Sequence, residues 1–167
     1  MRSPPGQAPD PLRGARRGRK DVRIVILGCG RLGARAAASF LKRGESVAIV
    51  DADEEKFRNV PPSPDFRTIS GDVLDDAALE KAFAGGADLC LVATGRDPLN
   101  ILLAQKVRVR FGVPRVLLRI FDPELAGVYR TLGLEVICPT LQALAEVERL
   151  TTSPSGSDPG KERRGCT

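Results

Sequence analysis

The chain contains no histidine and a single tyrosine, and its aromatic content is 4% over 167 residues. Without histidine it lacks the side chain most often used for general acid and base work near neutral pH and the commonest metal ligand. The cysteines Cys29, Cys90, Cys138 and Cys166 stand far apart with no C-x-x-C pair. That spacing argues against a zinc site and against a disulfide framework, and it suits a reducing cytosol. No apolar run approaches the roughly 18 residues of a membrane span. The N-terminal segment is charged but has no apolar centre, so it is not a secretory signal. Few aromatics and no helix-turn-helix pattern leave little for base stacking or groove reading.

The formal charge of +5 points towards nucleic acid only until it is divided along the chain. Residues 1–20 hold six Arg/Lys against one Asp, and residues 151–167 hold three against two acids. The middle keeps 17 basic and 18 acidic residues, close to neutral. Residues 1–20 carry four Pro and three Gly with almost no apolar side chains, a composition that cannot offset the entropy of ordering. They are read as a disordered basic tail, either an arm for an acidic surface or, preferably, a bystander; their arginines also fit a transit peptide. Residues 151–167, rich in Ser, Pro, Gly and charge, are read as a second tail. Between them lies room for one domain, residues 21–150, with a proper core.

That domain is organised around Val22 to Asp51. Val22, Ile24, Val25, Ile26 and Leu27 form a β-branched run of the kind buried on both faces of a parallel sheet. Gly28, Cys29, Gly30, Arg31, Leu32 and Gly33 follow as G-x-G-x-x-G. The first glycine allows a tight turn, the second lets a pyrophosphate approach bare backbone, and the third lets a helix sit close to the strand. The helix that follows presents free N–H groups to phosphate, and Gly44 ends it. A second strand from Ser46 to Val50 delivers Asp51 about twenty residues after the glycines, where a carboxylate can accept both ribose hydroxyls of an adenosine. Such a carboxylate repels a 2′-phosphate, so NADH is expected to bind better than NADPH. The alternative is an ordinary strand-to-helix turn with a solvated Asp51.

Beyond Asp51 the pattern alternates regularly. A short helix over residues 53–58 is cut off by Pro61, Pro62 and Pro64, and Phe66 to Ile69 makes a third strand. Asp75 is the expected N-cap of a helix carrying Leu79, Ala82 and Phe83, closed by Gly85 and Gly86. Asp88 to Ala93 is a fourth strand, with Thr94 and Gly95 at its carboxyl end, where open α/β sheets place their ligands. Asp97 and Pro98 read as an N-cap and first helical residue, with Leu99, Leu102, Leu103 and Val107 on one apolar face, Arg108 and Arg110 pointing away, and Gly112 as the stop. Val116 to Ile120 is the fifth strand, and Asp122-Pro123 repeats the cap before a helix with Leu125, Val128, Tyr129 and Leu132, closed by Gly133. A sixth strand, Leu134 to Ile137, precedes a last helix from Pro139 to about Leu150. Six strands alternating with helices describe an α/β, Rossmann-type doubly wound parallel sheet of order 3-2-1-4-5-6 with its crevice between strands one and four.

From Val22 to Leu150 the chain resembles the N-terminal nucleotide-binding domain of potassium-transport regulators, the RCK or TrkA-N family. The resemblance is carried by V-I-L-G-C-G-R-L-G (25–33), V-D-A-D-E-E-K (50–56), S-G-D-V-L-D-D-A-A-L-E-K-A (70–82), A-D-L-C-L-V-A-T-G-R-D-P-L-N (87–100) and V-L-L-R-I-F-D-P-E (116–124). The first two are common to many Rossmann proteins; the last three are more specific. In that family the domain is a cytosolic ligand sensor attached to a membrane potassium channel or transporter. The resemblance therefore implies binding of NAD(H) or ATP/ADP without covalent chemistry, a homodimer or higher ring, no nucleic acid, and a place in the cytoplasm at the inner face of the cell membrane through its partner.

By matching positions, the resemblance puts Gly28, Gly30 and Gly33 at the phosphates, Asp51 at the ribose, Asp72 and Val73 beside adenine, and Thr94 with Gly95 along the crevice. Cys29, Leu32, Ala52, Asp53, Lys56, Gly71, Arg96 and Asn100 complete the candidate binding set through the same motifs. Arg31 stands where some members place an arginine that meets a terminal phosphate, which favours ATP or ADP; it equally reads as a solvent-facing first-turn residue. Arg119 ends a strand at the ligand edge, within reach of phosphate or a neighbouring subunit, or it is structural. Cys29 reads as a small residue in a tight turn. Members commonly carry a second, C-terminal ligand domain, and this chain runs into its tail soon after Leu150. Leu141, Leu144 and Val147 offer an apolar stripe for a partner or for burial within the chain. The competing readings are a nicotinamide-dependent oxidoreductase or epimerase, which the missing histidine and the absence of Tyr-x-x-x-Lys at Tyr129 disfavour, and a nucleic-acid binder using the basic arm.

Overall fold

In a computed structural model describing residues 22–152, six parallel strands lie in the order β3-β2-β1-β4-β5-β6. The order follows from the chain path: β1 (Arg23–Leu27) crosses through α1 (Arg31–Lys42) to β2 (Ser46–Asp51), and a 3-10 helix (Glu54–Asn59) leads to the edge strand β3 (Phe66–Ser70). The chain then returns through α2 (Asp76–Phe83) to β4 (Leu89–Val92) on the other side of β1, and builds outward by α3 (Asp97–Phe111), β5 (Val116–Arg119), α4 (Pro123–Thr131) and β6 (Glu135–Ile137). Right-handed crossovers place the helices of the two directions on opposite faces. The reversal at β1 and β4 opens a crevice at the carboxyl edge of the sheet. The α/β fold expected from the sequence is the one observed.

Strand alternation divides the core in two. Ile24, Ile26, Val47 and Ile49 face α1, where Ala34 and Ala37 let the helix lie close. Val25, Leu27, Val50, Cys90, Val92 and Leu118 face α2 and α3, whose Leu79, Phe83, Leu103 and Val107 are buried against them. Phe83 and Phe111 stack at 4.4 Å between ring centres. The last helix, α5 (Pro139–Thr152), buries no residue and runs two positions past the end expected from sequence. No helix among the described residues is long and apolar enough to cross a membrane. The expected tails fall outside the described residues apart from Thr151 and Thr152, which continue α5.

Several local expectations need correction. Asp53 caps the 3-10 helix through Glu55 N–H at 3.1 Å and is not part of it. Asp75 and Asp122 cap α2 and α4 as expected. Asp97 does not cap α3: the N-cap is Arg96, and the Asp97 carboxylate instead accepts from the backbone of Phe121 (2.9 Å) and Asp122 (3.0 Å) beyond the end of β5. Those unpaired strand-end donors outcompete the first turn of its own helix. On α3, Leu102 is 52% exposed rather than on the buried face with Leu103 and Val107. On α4, Leu125, Val128 and Leu132 are exposed and the buried anchor is Ala126, which periodicity did not select. Arg110 does not simply face water but pairs with Asp76 and Glu80 on α2.

Candidate functional site

The glycine turn separates three requirements that the sequence could only list together. Gly28 has φ +104°, and a Cβ there would lie 3.0 Å from the backbone of Ala93 and Thr94, so both its conformation and its bareness are needed. A Cβ on Gly33 would meet the carbonyl oxygen of Gly28 at 2.0 Å, which is what holds α1 so close to β1. Gly30 is different: a Cβ would meet nothing within 4 Å. Its bareness serves empty space rather than packing. Gly30 is also the N-cap of α1 and supplies no side-chain cap, and the first turn has no acidic residue. The first intrahelical bond is Ala34 N–H to Gly30 C=O at 2.9 Å. The N–H groups of Arg31, Leu32 and Gly33 are left without an intrahelical acceptor, at the positive end of the helix dipole. Uncapped, this end is suited to an anion.

Beside the turn stands Asp51, which is only 9% exposed. One of its oxygens, Oδ2, accepts from Cys29 N–H at 2.7 Å; the other, Oδ1, accepts from Asp53 N–H at 3.0 Å and from Lys56 Nζ at 3.0 Å. Burial alone would raise its pKa, but the hydrogen bonds from Asp53 N–H, Lys56 and Cys29 N–H, with the lysine charge, outweigh it and hold the carboxyl below its ordinary value. Lys56 is correspondingly raised, chiefly by its hydrogen bond to Asp51. The carboxylate is therefore ionised and oriented before any ligand arrives.

The far wall is held by Asn100, which is fully buried. Its Oδ1 accepts from Thr94 N–H (3.0 Å) and Thr94 Oγ1 (2.5 Å), and its Nδ2 donates to Thr94 C=O (3.2 Å) and Arg119 C=O (2.8 Å). Those bonds use the whole capacity of the amide. Asn100 consequently ties the ends of β4 and β5 together and offers nothing to a ligand. Arg119, 9% exposed, donates from Nη2 to Thr94 C=O and lays its guanidinium 4.2 Å from the ring centre of Phe121, while its buried Nε has no partner among the described residues. Burial lowers its pKa, opposed by the Asp97 carboxylate and reinforced by the Arg31 charge, although a guanidinium stays protonated.

These walls enclose a crevice of about 460 Å³ at the β1/β4 switch point. Of the residues expected from the sequence, Gly28, Gly30 and Arg31 line it from the turn, Asp51 and Ala52 from the end of β2, and Lys56 from the 3-10 helix. Asp72 and Val73 close one end, and Thr94, Gly95 and Arg119 the other. Leu32 packs from α1 against the core beneath it, Gly33 against Gly28, and Gly71 over Ala78, so the contacts they make here are structural. Asp53 and Arg96 serve as the two N-caps already described and do not line the crevice. Cys29 is 1% exposed, its thiol donates to Lys56 C=O at 3.4 Å, and burial, followed by the Asp51 charge, pushes its pKa up to about 11. It is an inert turn residue, not a reactive one. Ala93, buried just past the end of β4, and Phe121, 43% exposed on the crevice wall, are the two lining residues that the expected binding set left out. For Phe121, its position just past the arginine that ends β5 was the available signal.

The TrkA-N domain family model matches residues 24–139, spanning β1 to the start of α5 and with it the whole crevice. The chain belongs to the TrkA-N family. The Trk system potassium uptake protein TrkA of Streptomyces coelicolor is 36% identical over 143 residues, covering 83% of this chain and 61% of that protein. This TrkA-N chain thus spans about three-fifths of the length of that relative. Among solved structures, GsuK bound to ADP superposes with a TM-score of 0.66 at 24% identity, covering 79% of this chain and 34% of that one. The AMP-bound Kef C-terminal domain of Shewanella denitrificans gives 0.65 at 20% identity over 77% of this chain and 80% of that one. Both share the TrkA-N fold seen here.

Proposed function

We propose that this chain is a regulatory, non-catalytic nucleotide sensor for a potassium transporter or channel. Residues 21–150 form the sensing domain. An adenine nucleotide, NAD(H) or ATP/ADP, lies in the crevice with its phosphates on the α1 N-terminus at Gly30 and its ribose on Asp51. The observation that carries the reading is the pairing of an uncapped helix end over an empty Gly30 face with a pre-ionised carboxylate anchored to Cys29 N–H. Arg31 and Arg119 add positive charge where phosphate would lie, which favours ADP or ATP. The nucleotides bound by GsuK and the Kef domain, and the naming of the Streptomyces relative, support the ligand and the transport role.

Gating follows from differential affinity. Nucleotides that bind two geometries of a homodimer or larger ring unequally shift the population between them, and a membrane-embedded potassium transporter subunit reads that shift. Such a protein works in the cytoplasm at the inner face of the membrane. The oxidoreductase reading finds little support: no histidine exists in the chain, and Tyr129 is packed against the core and lines a different hollow with Gln105, Arg108 and Val109. Native mass spectrometry of the purified chain, followed by calorimetry with ATP, ADP, NADH and NADPH, tests the proposal. Carried-over adenine nucleotide or saturable binding, with NADH tighter than NADPH, is expected. No heat with any of the four, or sustained NADH consumption with carbonyl substrates, contradicts it.

A further inference from the structure

Asp51 is already busy. Each carboxylate oxygen offers about two acceptor positions. On Oδ1 both are filled, by Asp53 N–H and Lys56 Nζ, each at 3.0 Å, whereas Oδ2 carries only Cys29 N–H at 2.7 Å. A ribose diol gripped by both oxygens finds one vacancy and one occupied place. The Asp53 donor is backbone, fixed by the turn that starts the 3-10 helix. Lys56 is a long side chain, 42% exposed, on a helix that buries none of its residues. Of the two donors on Oδ1, the lysine is the one able to yield.

Lys56 also has room to leave. It lines the crevice and a second hollow of about 570 Å³ on the other side of the glycine turn, bordered by Arg31, Arg35, Asn59 and Pro61.

We propose that Lys56 is an internal competitor for the sugar: its ammonium holds the place of one ribose hydroxyl on Asp51 and is displaced when a nucleotide binds. In the empty site it orients the buried carboxylate and balances its charge. A ligand with the ribose diol must displace it and a ligand without the diol need not, so Lys56 tempers the site's preference for the diol through Asp51, as a positioning residue. The displacement moves the Lys56 side chain while its backbone stays held by Cys29, Asp53 and Asn59, giving the occupied and unoccupied crevices a local difference. This inference rests on the nucleotide reading of the crevice.

The test is isothermal titration of the full chain with ADP and with its 2′,3′-dideoxy analogue, in wild type, Lys56→Met and Lys56→Arg. Removing the ammonium affects phosphate attraction for both ligands alike, so the ratio of the two affinities isolates the hydroxyls. That ratio is expected to rise about fivefold in K56M, the size of one modest hydrogen bond to a charged group at a part-exposed site. K56R, which still bonds the carboxylate, is expected to stay within about twofold of wild type by the same reasoning. A ratio that is unchanged or smaller in K56M overturns the role of Lys56 while leaving the nucleotide site standing. Wild type binding neither ligand overturns both.

Discussion

The two halves of the sheet are finished to different degrees. In the β1–α1–β2 half, every residue after the first of each strand is buried, and α1 sets Gly33, Ala34 and Ala37 against them. In the α4–β6–α5 half, β6 has no buried residue, α5 has none, and α4 has only Ala126. Val128, Leu132, Leu144, Val147 and Leu150 are all at least 50% exposed. The first half carries the glycine turn and Asp51, so its geometry is fixed by packing within the chain. The second half presents apolar side chains without a matching surface among the described residues.

Substitutions can break this contrast, and the largest effect is expected at Gly33. A Cβ placed 2.0 Å from the Gly28 carbonyl forces α1 off β1, so Gly33→Ala should destabilise the domain by about 3 kcal/mol or more, read as a fall in urea midpoint. Asn100→Ala comes next. It strands Thr94 N–H and Arg119 C=O around a buried gap, while Thr94 C=O keeps its bond from Arg119, at a cost of about 2 kcal/mol by thermal or urea unfolding. Asp51→Asn should show a pH signature instead. A carboxyl whose folded pKa is depressed contributes stability above its unfolded value of about 4 and loses it as pH falls through the folded value. The urea midpoints of wild type and D51N should therefore differ at neutral pH and converge on acidification below about pH 4. Least affected is α5: Leu144→Glu, at a half-exposed position, should change unfolding free energy by under about 0.5 kcal/mol. If a second copy covers that helix, sedimentation of L144E should move towards the monomer; an unchanged subunit count removes α5 from the interface.

How much of this could be read beforehand follows the same division. β1, the glycine turn and β2 were legible because each requirement is local: a β-branched run, three glycines, then an acid at a fixed distance. The strand order was legible because crossover handedness leaves few choices. Asp97 was misread because its real partners, Phe121 and Asp122, lie 24 and 25 positions along the chain, and local cap statistics do not contain them. Asn100 was placed in the binding set by its motif, whereas its amide is consumed in holding β4 to β5. Lys56 on Asp51 was invisible as a pair, although both were singled out. Apolar periodicity misassigned α4 because it marks side chains that want cover, not whether the same chain provides it.

Gly30 tests the central claim most directly, because it is the one glycine of the turn whose side of the backbone is empty. Gly30→Ala sits at φ −73°, which alanine adopts freely, so the unfolding free energy should change by less than about 0.5 kcal/mol. Calorimetric titration of ADP into wild type and G30A should show affinity falling about tenfold or more, since a methyl group stands where phosphate would meet bare backbone. Equal ADP binding by the two proteins, at equal stability, would contradict a phosphate site at the head of α1.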